Sequence, residues 1–183
     1  MSDNAERLPL IDPGAAPKEV QAAFARLPDV NLFRAMAGAS SLYPPFAEYL
    51  TELFREMELD TQTERLAVLL VGKLSHCRYV WRQNIVTAKS VGISDEQIAA
   101  IERGDHTARC FSPKHRSALA FTEDCVRNVE VSDAIYTAAA RELSSRAIAE
   151  LLYVVGTYMM ICRFARSGRV PLDDEPGPSP YLS

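Results

Sequence analysis

The segment TQTERLAVLLVGKLSH constrains this chain more than any other. Between residues 66 and 71 every side chain is apolar. A helix that is apolar all round has no face to offer water, so other elements must enclose it. Asp60 stands in front of it as an N-cap, the type of residue whose oxygen takes an unpaired N–H of the first turn. What encloses it is legible too. There is no sustained alternation of period two and no Asn-Gly hairpin, so strands are not expected.

Helix punctuation is frequent instead. Pro17 suits the first turn before KEVQAAFARL, and a short helix is expected over VNLFRAMAGA. In PPFAEYLTELFREM, Phe46, Leu50, Leu53, Phe54 and Met57 recur at helical spacing. The stretch over residues 77–91 reads as a helix closed by Gly92. Ser94 to Gln97 forms a capping box, and Gly104 stops the helix it starts. Ser112-Pro113 opens KHRSALAFTEDCVRNV, Ser132 caps DAIYTAAAREL, and Ser144 or Ser145 opens RAIAELLYVVGTYMMICRFARS, ended by Gly168. The expectation is an all-α, single-domain helical bundle of about seven or eight helices. Residues 17–170 form the domain, residues 1–16 a flexible N-terminal segment, and residues 171–183 an extended Pro-rich tail, either a disordered end or an arm on a neighbouring subunit.

With 183 residues, one core of good size is affordable. A formal net charge of −4 and the lack of a basic run disfavour nucleic-acid binding. MSDNAERLPL carries no apolar signal region, and the apolar runs LAVLLVG and LLYVVGTYMMIC are short for a bilayer. A cytoplasmic protein with no nucleic-acid and no membrane partner is expected. The cysteines (Cys77, Cys110, Cys125 and Cys162) form no C-x-x-C pair, so no metal site is readable. In a reducing compartment they read as free thiols, Cys125 and Cys162 buried and Cys110 in a loop.

Chemistry concentrates in SHCRYVWRQNIVTAKSVG. On a helical wheel Cys77, Val80, Asn84, Ala88 and Val91 share one stripe. An asparagine in an apolar stripe must find hydrogen-bond partners, either as a polar group of a pocket or as an amide that holds a neighbouring loop. Cys77 opens the helix. There the unpaired N–H groups favour a thiolate, although a small buried residue at a helix junction would look the same. If the helices on either side of residue 76 pack as an antiparallel hairpin, Arg65 meets position 84 or 88. Arg65 beside Asn84 would suit a carboxylate or oxyanion, unless Arg65 reaches solvent or pairs with a glutamate. His106 and His115, near a loop and a helix start, are expected to be exposed.

These residues carry a resemblance. Over residues 30–172 the ordered blocks NLFRAMA, TERLAVLLVGKLSHCRYVWRQNIVTAKSVGISDEQIAAIERG, FSPKHRSALAFTEDCVRN and LLYVVGTYMMICRFARSGRVPL resemble the carboxymuconolactone decarboxylase-like superfamily, which includes the alkylhydroperoxidase D-like proteins. The resemblance implies an all-α protein without a cofactor, assembled as a homo-oligomer, commonly a trimer or hexamer with a dimer also compatible, and with sites near subunit contacts. The family's motif Tyr-Glu-Trp-x-x-His falls on Tyr79, Val80, Trp81, Arg82, Gln83 and Asn84. The acid position is thus Val80 and the histidine position Asn84. A glutamate of the preceding helix aligns with Arg65, one residue after Glu64. In the peroxidase branch the motif is Cys-x-x-Cys-x-x-x-His: Cys77 matches the first cysteine, Val80 the second.

The chemistry implied is therefore rebuilt. Without a second cysteine in the motif its internal disulfide has no partner, and asparagine cannot relay protons near neutral pH. Peroxidase activity of the family type is expected to be weak or absent. The leading expectation is a lyase or isomerase acting on a small carboxylate or lactone. Arg65 would bind the carboxylate, Tyr79 and Asn84 would hold an oxygen, Val80 and Trp81 would line the site, and His76 would be the acid/base. The alternatives are a non-catalytic ligand-binding oligomer, and a one-cysteine thiol enzyme using Cys77 with an external resolving thiol.

Overall fold

A computed structural model describes residues 6–175. Among these residues there are nine α-helices and no strand, so the all-α expectation holds with slightly more helices than expected. In chain order they are α1 (Lys18–Phe24), α2 (Asn31–Met36), α3 (Tyr43–Leu53), α4 (Thr61–Leu74), α5 (Arg78–Ser90), α6 (Asp95–Arg103), α7 (Pro113–Asn128), α8 (Asp133–Ala139) and α9 (Ser145–Gly168). The caps lie where the sequence places them. Asp60, Ser112 and Ser144 each accept an N–H of the first turn, and Ser94 with Gln97 closes a reciprocal box. Ser132 is the N-cap of α8 but turns its hydroxyl to Asp124 instead.

The apolar helix α4 is central, as its composition requires. It packs on α5, α7, α9 and α6, and Leu69, Leu70, Val68 and Val71 are fully enclosed. The α4–α5 hairpin closes tightly because Gly72 has no side chain. A Cβ there would stand 3.1 Å from the Val80 side chain and 3.3 Å from the Trp81 backbone nitrogen. Gly92, at φ +87°, turns the chain out of α5 in the left-handed region that glycine enters without steric cost.

The core divides in two. One cluster joins α1, α2, α3, α9 and one face of α4; the other packs α6 against the opposite face of α4 and the end of α5. Residues 6–16, expected to be flexible, run along the bundle. Arg7 and Leu8 donate backbone bonds to Gly168, and Ile11 donates one to Arg34. The first tail residues are not helical. Asp173 accepts from the Asn31 backbone at 2.8 Å, and the Asp174 carbonyl accepts from Arg82 at 3.1 Å. Residues 176–183 of the expected tail lie outside the described residues.

Two sequence expectations meet different facts. Helix α9, which contains the apolar run LLYVVGTYMMIC, extends to 24 residues with a window of mean hydropathy 1.4, long and apolar enough for a bilayer by length and composition. In the fold this helix packs on α2, α4, α5 and α7, which accounts for its apolar composition. His106 is buried rather than exposed. The loop after α6 folds back on α7, where His106 Nδ1 shares a 2.8 Å hydrogen bond with Glu123. His115 is half-buried, and burial lowers its pKa.

Candidate functional site

The antiparallel packing of α4 on α5 brings Arg65 to Asn84. Arg65 Nη1 donates to Asn84 Oδ1 at 2.9 Å, and Asn84 Nδ2 donates to the Val80 carbonyl at 2.8 Å. Arg65 is 1 % exposed and cannot reach solvent. Its Nε donates to Glu64, itself 2 % exposed, in a very short ion pair. Its Nη1 also lies 3.4 Å from the Tyr158 hydroxyl. The Phe54 and Tyr158 rings flank the guanidinium at 5.1 and 5.9 Å, within cation–π range.

The electrostatics follow from burial. Loss of water raises the Glu64 carboxyl, while the Arg65 charge opposes the rise. Burial works against the Arg65 charge, but Glu64 and Tyr158 together more than offset it and keep Arg65 protonated. Burial also raises the Tyr158 phenol, partly offset by Arg65. Two atoms of the cluster, Glu64 Oε1 and Arg65 Nη2, have no protein partner.

A cavity of about 270 Å³ opens in front of this cluster. Asn84, Tyr158, Tyr79, Gln83 and Val80 line it, with Leu32, Phe33, Leu50, Phe54 and Ile161 as apolar walls. Asp29 and Glu175 also line it, and Arg34 holds both oxygens of the Asp29 carboxylate at 2.6 Å and lowers its pKa. Arg65 stands behind the wall, presenting its charge through Asn84 and Tyr158. Tyr158 accepts from Arg65 and keeps its phenol proton for a ligand oxygen; Asn84 keeps one amide hydrogen. The arrangement offers two hydrogen-bond donors, backed by a buried cation, to an oxygen entering an apolar cavity.

Tyr79 is held differently. Its hydroxyl accepts from the Leu32 backbone at 3.1 Å and donates to Asp173 in a short bond; Gln83 donates to the same carboxylate. Burial and the Asp173 carboxylate raise its pKa above the usual phenol value. The tail thus fastens one end of the cavity.

The sequence-selected residues therefore separate into two places. Arg65, Tyr79, Val80 and Asn84 belong to the first cavity or its rear wall. His76 and Cys77 line another, of about 530 Å³, which Tyr79 also borders. His76 is exposed, at φ 50°, in the turn between α4 and α5. Trp81 lines neither cavity and packs against the second core cluster. Cys77 is buried at the N-cap of α5 and makes no regular cap hydrogen bond. The facing Cys162 thiol lowers its pKa to about 7, against the cost of burial, with help from the Val80 and Tyr79 N–H groups and Arg166.

Sequence reasoning missed Tyr158, Phe54, Asp173 and Cys162. Their signal is tertiary alone: Tyr158 lies 93 positions from Arg65, and Asp173 lies 94 from Tyr79.

No protein-family model and no curated protein matches the sequence. Solved structures do match the fold. A peroxidase-related protein from a Silicibacter species superposes with a TM-score of 0.79 at 18 % identity, covering 96 % of this chain and 95 % of that one. A cysteine-to-alanine variant of the debrominase Bmp8, in complex with 2,3,4-tribromopyrrole, gives 0.78 at 16 %, covering 96 % of both. An Agrobacterium tumefaciens protein of unknown function, with a suggested antioxidant defence role as AhpD, gives 0.64 at 14 %, covering 93 % and 100 %.

The chain is thus an all-α protein of the AhpD-like helical fold. That is the fold implied by its resemblance to the carboxymuconolactone decarboxylase-like superfamily.

Proposed function

We propose that the chain is a lyase or isomerase acting on a small carboxylate or lactone in the cavity between α2, α5 and α9. One observation carries this reading: Asn84 and Tyr158 line an apolar cavity of about 270 Å³ and are both hydrogen-bonded to the buried Arg65 cation behind it. Donors fixed before the reaction stabilise charge on a substrate oxygen without the cost of reorienting water. Decarboxylation and lactone isomerisation both build such charge, in an enolate or carboxylate. Arg65 orients the donors and supplies positive potential rather than gripping the substrate directly. His76 opens on the neighbouring cavity and Asp29 is held in an ion pair by Arg34, so proton transfer falls to Glu175. The tribromopyrrole complex of a fold neighbour supports a small cyclic ligand.

Calorimetric titration with a panel of small carboxylates and lactones, followed by NMR of the products, tests the reading. Binding that weakens roughly tenfold in Tyr158→Phe, the size expected for one lost hydrogen bond, would support it. Unchanged affinity in both Tyr158→Phe and Asn84→Leu would overturn it.

We also propose a homo-oligomer, a trimer or hexamer. Leu152, Tyr153 and Met160 leave an apolar strip of α9 exposed beside Tyr49, the kind of surface a second copy covers. A second chemical reading is thiol-based peroxide reduction at Cys77, which stands at the N-cap of α5 and lines the cavity of about 530 Å³.

A further inference from the structure

Three arginines line the cavity of about 530 Å³: Arg78 from the first turn of α5, Arg166 from the last turn of α9, and Arg169 at its C-cap. Glu6 is the one acidic residue in that lining among the described residues. Arg166 also borders an adjoining cavity of about 430 Å³, with Arg163, Ser75 and Cys162. The groups that hold these guanidiniums are neutral. Arg166 Nη1 donates to the Ser75 carbonyl at 3.0 Å, and Arg163 Nη1 donates to the Met159 carbonyl at 2.9 Å. Among the described residues, the Arg78 side chain makes no hydrogen bond and no ion pair. Elsewhere arginines meet carboxylates, as Arg34 does Asp29 and Arg55 does Glu52. The chain as a whole carries −4, yet around this cavity positive charge gathers.

Another part of the lining is apolar and fixed. Val170, Pro171 and Leu172 form it, and Asn31 Nδ2 donates to the Pro171 and Leu172 carbonyls at 3.4 Å. The Asn31 backbone N–H holds Asp173, the next residue, at 2.8 Å. Two residues of the lining, His76 and Arg169, stand at φ 50°, in the left-handed region that residues other than glycine enter at a cost. Such outliers cluster where a ligand is clamped.

We propose that this cavity binds a small phosphate ester, with its phosphate among Arg78, Arg166 and Arg169 and its organic part against Val170, Pro171 and Leu172. Guanidinium forks match phosphate oxygens two by two, and these charge-assisted bonds are stronger than neutral ones. A phosphate monoester carries about −1.5 to −2 charges at neutral pH, so it answers more than one guanidinium, which a monocarboxylate does not. A recess, rather than an extended basic face, fits a small molecule better than a nucleic-acid backbone. The site is separate from the cavity in front of Asn84; among the described residues only Tyr79 borders both.

Titration of the full chain with phenyl phosphate, inorganic phosphate and benzoate, followed by calorimetry and methyl NMR, tests the assignment. Phenyl phosphate should bind about tenfold or more tighter than either of the others. It should shift the methyl signals of Val170 and Leu172 and leave those of Leu32 and Leu50, in the other cavity, in place. Arg166→Gln and Arg78→Gln should each weaken it about tenfold, the size of one charge-assisted hydrogen bond. Arg55→Gln removes the same charge from α3 and should change nothing. Since the Arg78 side chain holds no other part of the fold, its variant decides even if Arg166→Gln fails to fold. Absence of binding, equal binding of benzoate or inorganic phosphate, or an equal loss in Arg55→Gln would overturn the proposal.

Discussion

Replacing Arg65 by methionine removes the cation and keeps most of the side-chain volume. Glu64 is then a buried carboxylate, 2 % exposed, with no opposite charge, and Asn84 Oδ1 loses its 2.9 Å donor. Breaking a buried ion pair from one side costs about 3–5 kcal/mol, because the remaining ion keeps its desolvation penalty without its attraction. For a chain of this length that corresponds to a fall in Tm of about 6–20 °C. The cost must depend on pH, with a definite sign. The folded-state pKa of Glu64 is already raised by burial, so its protonated form favours the fold. Stability from this group is full below the unfolded pKa and is lost as pH rises through the folded pKa. Without Arg65 the folded pKa climbs further, so Arg65→Met should be more damaging at pH 8 than at pH 5. The double variant Glu64→Leu with Arg65→Met should recover much of the loss, since apolar replacements of a buried pair are often neutral. Urea unfolding followed by circular dichroism at both pH values measures all three. A cost below about 1 kcal/mol, or one independent of pH, would refute the reasoning, since an exposed or solvated pair behaves in that way.

Three other outcomes are expected. The rate of Cys77 alkylation, read by mass spectrometry, should rise with pH around a midpoint near 7, and Arg166→Gln should move the midpoint upward; Glu6, His76, Arg78 and Arg169 line the same cavity as Cys77, and Arg163 the cavity of Cys162. Asp173→Asn should weaken the hold of the tail on Tyr79, Gln83 and Asn31, seen as faster hydrogen exchange at the start of α2 with a stability loss of about 1–3 kcal/mol. Gly92→Ala should destabilise by about 1 kcal/mol or more in thermal unfolding, because φ +87° strains an L residue and the new Cβ would meet Gln62 Nε2 at 3.1 Å.

Much of the fold was written locally. Asp60, Ser94, Ser112 and Ser144 mark helix starts through bonds to residues three positions away, so the sequence displays both partners together. The centrality of α4 follows from residues 66–71 alone, since an all-apolar helix is excluded from the surface. Even the Arg65–Asn84 bond was within reach, because a hairpin of two helices fixes which positions face each other. His106 escaped this logic. Its burial comes from a loop folding back onto α7, and loops carry no periodicity to read.

By itself, then, the sequence determined the all-helical class, most helix starts, the buried position of α4 and the departure of Val80 and Asn84 from the motif they resemble. Only the tertiary structure decided how the chemistry is distributed. It set Glu64 against Arg65, brought Tyr158 and Phe54 to the guanidinium, drew Asp173 onto Tyr79, and gathered Cys77 and Cys162 into one core cluster. The division has a physical cause. Capping and amphipathicity act over one or two turns, whereas a cavity arises where α5 and α9 happen to pack, which no short-range pattern encodes.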